Sequence, residues 1–165
     1  MHAVSAPIFV RMLKNLSSIL TNAEKQAKAK GYDPSVLLNS RLAPDMFPLT
    51  RQVQIAADQA KGGAARLAGI EVPKYEDTEK TFDDLKARIA KTIAFVNGIE
   101  PEQLANSAGR DISLPLGPNT VTFKGEWYAK HFVLANLHFH VTTAYDILRH
   151  NGVELGKRDY IGSIG

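Results

Sequence analysis

Apolar residues recur at three- and four-residue steps in four long stretches of this chain, and at two-residue steps in one short one. The first stretch predicts a helix over residues 6–30, with Ser5 as N-cap and Pro7 in the first turn, where a missing N–H costs nothing. Ile8, Met12, Leu16, Ile19, Leu20 and Ala23 form its apolar face, and Gly31 stops it. Asp33-Pro34 opens a short turn or one-turn helix, with Asp33 as cap and Val36, Leu37 and Leu38 expected inward. Residues 42–48, broken by Pro44 and Pro48, are a connection whose apolar residues are expected to lie against the other helices.

A second long helix is predicted over residues 48–69, with Val53, Ala56, Ala57, Ala60, Ala64, Leu67 and Ala68 inward. Gly62 and Gly63 sit inside it, and an interior glycine costs about 1 kcal/mol relative to alanine. Close approach of a neighbouring helix, or a mild kink, is the preferred compensation; a subunit interface built on small side chains is the other. After a loop around Pro73, a third long helix starts at Thr78 or Thr81. Thr81 and Asp84 have the spacing of a capping box, Phe82, Leu85, Ile89, Ile93 and Val96 mark the buried stripe, and Asn97-Gly98 ends it.

The two-residue period follows: Ile112, Leu114 and Leu116, then Val121 and Phe123, around Gly117-Pro118-Asn119, predict a small hairpin or a pair of extended arms. Pro115 cannot donate to a ladder, so the hairpin is expected to be isolated or peripheral. The last and longest helical pattern covers residues 125–152, with Val133, Leu137, Val141, Ala144 and Leu148 on one face, flanked by Leu134 and Tyr145. Apolar residues in the tail, Leu155, Tyr160, Ile161 and Ile164, imply that part of it docks. These elements predict an all-α fold, an up-down four-helix bundle with a small hairpin or extended pair before the last helix, in a single domain over residues 1–165.

The last helix also holds four of the five histidines. His131 and His138 are seven residues apart, about 10.5 Å along a helix, too far to share one ion. His138 and His140 point to different sides, so no two-histidine site forms within the helix. His140 lies at the edge of the buried face, with Asn136 one turn earlier on the same side. On spacing alone, a satisfied core-edge histidine is preferred to a metal ligand.

Composition narrows the field mainly by exclusion. The chain has no cysteine, which removes disulfides, a thiol nucleophile and a thiolate zinc site. No apolar run reaches the roughly 20 residues of a membrane span, and the opening residues lack a secretory pattern, so a cytoplasmic protein without membrane attachment is expected. The net charge is +3, but 20 basic residues interleave with 17 acidic ones. The densest basic run, Lys25, Lys28 and Lys30, complements the end of a helix dipole, so no nucleic-acid partner is expected.

The segment from His140 to Gly152, HVTTAYDILRHNG, resembles the end of the last helix of DinB/YfiT-like proteins, where a motif close to HxxxHRGQ precedes an apolar stretch, Leu-Arg and Gly. The whole chain is more similar still to an uncharacterised bacterial domain-of-unknown-function family grouped with that superfamily, over residues 47–69, 114–125, the last helix and the tail GKRDYIG at 156–162. The resemblance implies a four-helix bundle, often dimeric. In many relatives three histidines hold a divalent metal at one end of the bundle, and some are thiol-dependent transferases or isomerases.

Carried over, His140 takes the place of the last metal histidine, Asn136 that of the one before it, and the first falls near Gln54, with Asp58 one turn on. Amides offer only neutral oxygens, poorer donors than imidazole for zinc or nickel. The expected site is therefore a polar pocket of Gln54, Asp58, Asn136 and His140 that binds a small molecule. It holds no metal, or a weakly bound Zn, Ni or Mn ion through His140, and Asp58 orients or protonates His140. The alternatives are a divalent-metal-dependent transferase centred on His140 and a non-catalytic structural protein; a homodimer is expected.

Overall fold

The computed structural model describes residues 5–163. Four long helices carry the fold: α1 (Ala6–Ala29), α3 (Leu49–Ala68), α4 (Phe82–Asn97) and α6 (Leu134–His150), with the short α2 (Ser35–Leu38) between the first two. Two 3-10 turns, Pro101–Leu104 and Ser107–Gly109, lead to β1 (Asp111–Leu116) and β2 (Asn119–Lys124). The chain then passes through α5 (Gly125–Trp127) and a π-helical stretch, Tyr128–Val133, into α6, and ends in α7 (Lys157–Ile161). Ile164 lies outside the described residues. Among those residues, no helix is long and apolar enough to cross a membrane.

The bundle closes because each long helix turns its apolar stripe to the same axis. Leu13, Leu16 and Leu20 of α1, Leu49, Val53 and Leu67 of α3, Leu85 of α4 and Val133, Leu137, Val141 and Leu148 at the last helix are all fully buried. α3 packs chiefly on α6 and α4, and α1 chiefly on α4. Pairings along the helices fix their directions. Gln52 meets His140 and Arg66 meets Tyr128, so α3 and α6 are antiparallel. Asp58 meets Arg88, while Lys61 and Lys91 both lie on the Tyr75 ring, so α3 and α4 run the same way. The up-down alternation holds from α1 to α3 and from α4 to α6. Between α3 and α4 the chain instead returns along the bundle, because residues 70–80 form an extended strap rather than a short turn.

The punctuation is largely chemical. Thr81 accepts from the Asp84 amide at 3.1 Å and Asp84 accepts from the Thr81 amide at 2.9 Å, the capping box expected for α4. Gly69 ends α3 in the left-handed conformation at φ 72°, which sends the chain back along the helix. The hairpin forms an isolated antiparallel pair with Pro115 opposite Thr120. The tail docks as α7: Asn15 Nδ2 donates to the Tyr160 carbonyl at 2.9 Å, and Arg11 to that of Ile161 at 3.0 Å.

Three local expectations change. Val36 is 59% exposed, because a helix of one turn has room to bury only Leu37 and Leu38. Phe47 is 56% exposed, since the connection is anchored by its carbonyl rather than its ring. The last helix is not one continuous α-helix: a π turn inserts itself before α6, ahead of Asn136 and His140.

Candidate functional site

Gln52 belongs to the inward stripe of α3, three residues after Leu49 and four before Ala56, and is 2% exposed. A buried amide needs partners for both ends. Gln52 Nε2 donates to the Phe47 carbonyl at 3.0 Å, which turns Oε1 toward α6, where it lies 2.7 Å from His140 Nδ1. An amide oxygen only accepts, so Nδ1 carries the proton and Nε2 keeps the lone pair in the neutral ring. Burial pushes the His140 pKa down, and the nearby charge of Arg51 pushes it the same way. His140 is thus a core-edge imidazole held neutral and fixed in one tautomer.

Asn136, one turn before His140, turns onto its own helix and donates from Nδ2 to the Phe132 carbonyl at 2.8 Å. Phe132 lies in the π turn, whose widened geometry leaves carbonyls in need of such partners.

Gln54 and Asp58 face another side of α3 and join a different network. Gln54 is 4% exposed; its Oε1 accepts from Arg51 Nη1 at 3.2 Å, and its Nε2 donates to Glu79 Oε2 at 2.8 Å. Arg88 of α4 is the hub. Its Nη1 donates to Glu79 Oε1 and to the Glu76 carbonyl, and its Nη2 lies 3.0 Å from both Asp58 and Asp77. Burial opposes the charge on Arg88, but the hydrogen bond with Glu79 and the charges of Asp58 and Glu79 outweigh it, and its pKa stands above the usual value. Asp58 also pairs with Lys61 at 2.8 Å, and Asp77 with Arg51.

The four residues expected in one pocket therefore fall into three settings: Gln54 and Asp58 together through Glu79 and Arg88, His140 with Gln52, and Asn136 on its own backbone. Gln54 lines a cavity of about 360 Å³ at the end where α3 begins, with Asn39, Thr50, Arg51, Glu79 and Lys80 also in its wall. Sequence reasoning missed Gln52 and Arg88. Both had a signal, a polar residue in phase with a buried stripe: Gln52 between Leu49 and Ala56, and Arg88 between Leu85 and Thr92.

A metal of the kind the DinB resemblance implies does not fit this donor set. Among the described residues His140 is the sole imidazole at the junction of α3 and α6, the Gln52 oxygen is engaged by Nδ1, and Asn136 is turned to Phe132. Among the described residues, no group of three or more His, Cys, Asp or Glu could hold an ion.

The model of a family described as Domain of unknown function (DUF1993) matches residues 1–161. The chain is also similar to a crystal structure of a DinB family member protein from Shewanella denitrificans, with 46% sequence identity and a TM-score of 0.93 over 99% of this chain and 92% of that one. No curated protein matches it.

Proposed function

The chain belongs to the DUF1993 family, and from that premise we propose that it binds a small polar molecule in the end cavity beside Gln54, without a tightly held metal. The observation that carries this reading is the position of Gln54: 4% exposed, yet on the wall of a cavity of about 360 Å³. That volume lies within the range of small-molecule sites, roughly 300–1,000 Å³. Arg51 and Lys80 supply cations, Glu79 an anion, and Asn39 and Thr50 neutral donors and acceptors. A wall of this kind suits a compact molecule carrying both charges, a small zwitterion, better than an apolar one. Arg51 also stands close enough to depress the His140 pKa, so a ligand anion that draws on Arg51 would be felt at the imidazole.

Ligand-observed NMR with a panel of small zwitterions and polar fragments tests the reading. Fragments attenuated by the wild-type protein should recover in Gln54→Leu and Lys80→Ala, with the circular dichroism unchanged. A panel that never distinguishes the wild type from these variants would overturn it.

One observation favours a metal-dependent transferase as the second reading: His140 is neutral, with Nε2 left free by the Gln52 bond. Metal analysis of tag-free protein after incubation with Zn, Ni or Mn decides between them. Stoichiometric metal that disappears in His140→Ala would replace the first reading with the second. The exposed rings of Phe47 and Phe139 offer apolar area for a second copy of the chain, and a homodimer is our reading of the assembly. A monomeric small-angle scattering profile at high concentration would remove it.

A further inference from the structure

We propose that residues 70–80 are an ionic latch, a strap held on the bundle chiefly by charged contacts and able to lift while the four helices stay packed. This inference does not depend on whether the end cavity binds a ligand.

The strap joins two parallel helices and must travel back along them, yet it brings almost no apolar anchor. None of its residues is buried, and Ile70, at its start, is 37% exposed. Residues 71–80 form no helix or strand, and among the described residues no backbone–backbone hydrogen bond involves them. A segment with these properties gains little from burial of apolar surface.

Its attachments are mostly ionic or cation–aromatic, with one neutral hydrogen bond from Gln54 Nε2 to Glu79 Oε2 at 2.8 Å. Asp77 pairs with Arg51 and, at 3.0 Å, with Arg88; Glu79 pairs with Arg88 at 3.0 Å; the Glu76 carbonyl accepts from Arg88 at 3.0 Å. Lys61 and Lys91 lie 3.9 Å and 4.2 Å from the centre of the Tyr75 ring. Arg88 therefore holds three positions of the strap at once, Glu76, Asp77 and Glu79, while its neighbours Leu85 and Ile89 are committed to the core. Losing the strap would leave that core intact.

Two features favour lifting. The Arg51–Asp77 pair is open to solvent, with side chains 37% and 41% exposed, so dissolved ions screen it. Arg88 Nε is buried without a partner, a strain on the closed form that opening to water relieves. Lys74, Tyr75 and Glu76 also line both of two cavities, of about 590 Å³ and 610 Å³. Lifting these residues would join the two into one trough over Asp58, Lys61 and Arg88.

The absence of cysteine allows a clean test. A nitroxide is attached at Glu76→Cys on the strap and, separately, at Ala94→Cys on the exposed side of α4, and continuous-wave spectra are recorded from low salt to about 1 M NaCl, where the screening length falls to roughly 3 Å. The strap label should pass from a restricted to a predominantly mobile spectrum, with the α4 label unchanged. In the Asp77→Asn/Glu79→Gln background the strap label should be mobile already at low salt, with the helical circular dichroism retained. A strap spectrum indifferent to both salt and the double substitution overturns the latch. So does mobility that rises equally at both labels, which would mean loosening of the bundle itself.

Discussion

Gln52 on α3 and His140 on α6 are joined by a 2.7 Å hydrogen bond between Oε1 and Nδ1, and the same amide holds the Phe47 carbonyl from its other end. One buried side chain thus ties the connection before α3 to the last helix and decides which imidazole nitrogen carries the proton.

The bond gives His140 a defined pH signature. Burial, then the charge of Arg51, lowers its pKa in the folded state below the ordinary value of about 6.5. Above that value the imidazole is neutral in both folded and unfolded chains and contributes no pH dependence. As the pH falls below about 6.5 the unfolded chain takes the proton first, so stability declines until the folded-state pKa is reached, and the slope then vanishes. Urea midpoints between about pH 7.5 and pH 5.5 should therefore fall further for the wild type than for His140→Gln. Equal falls would show that His140 titrates alike in both states.

Residues Gln52 and Gln54 lie two positions apart on one helix and should answer differently to the same change. Gln52→Leu leaves the His140 Nδ1–H and the Phe47 carbonyl without their partner and should cost about 2 kcal/mol, within the range for orphaned buried groups. Gln54→Leu leaves Arg51 with Asp77 and Glu79 with Arg88, and should cost less than about 1 kcal/mol. Chemical denaturation of the two variants gives the order directly.

The difference between these glutamines also marks how far the sequence could be read. The helices were legible because their stripes are long and regular: Met12 to Leu20, Val53 to Leu67, Leu137 to Leu148. Thr81 with Asp84 gave away the start of α4 by cap chemistry alone. The parallel course of α3 and α4 was not legible, since nothing in residues 70–80 distinguishes an extended return from a loop until Arg88 is seen to hold it. Nor was the π turn, because one added residue per turn leaves the apolar spacing on either side almost unchanged. At the site, the resemblance located His140 but placed its α3 counterpart near Gln54, two residues from the glutamine that meets it. Phase with Leu49 and Ala56 singles out Gln52.

The paired glycines of α3 separate two reasons for keeping glycine in a helix. A Cβ on Gly63 would stand 2.6 Å from Val133 Cγ1 and 3.1 Å from Cγ2, both branched, packed and unable to swing away. The cost of overpacking, about 1–3 kcal/mol, should exceed the gain in helix propensity of about 1 kcal/mol, so Gly63→Ala is destabilising. A Cβ on Gly62 would meet the Arg66 guanidinium at 2.5 Å, the far end of a flexible chain. That group can move, and Gly62→Ala should be neutral or stabilising by up to about 1 kcal/mol. Thermal unfolding of both variants checks the ordering, and it assigns the close approach of α3 to the last helix to Gly63.

The donor argument against a tightly held metal can be tested by reversing it. If two amides are what deprive this junction of an ion, exchanging them for imidazoles should restore one. Gln52→His places a ring where an amide now touches His140, and Asn136→His places another four residues before it, on the same side of α6. The double variant should take up Zn or Ni stoichiometrically in calorimetry, with affinity raised by orders of magnitude over the wild type, and should lose it again when His140→Ala is added. Gln54→His with Asn136→His is the control, since Gln54 faces Arg51 and Glu79 rather than α6. It should bind no better than the wild type. If the control binds as tightly as the first pair, the register of the α3 contact is wrong. If neither binds, the geometry of the junction, and not its donor chemistry, is what excludes the metal.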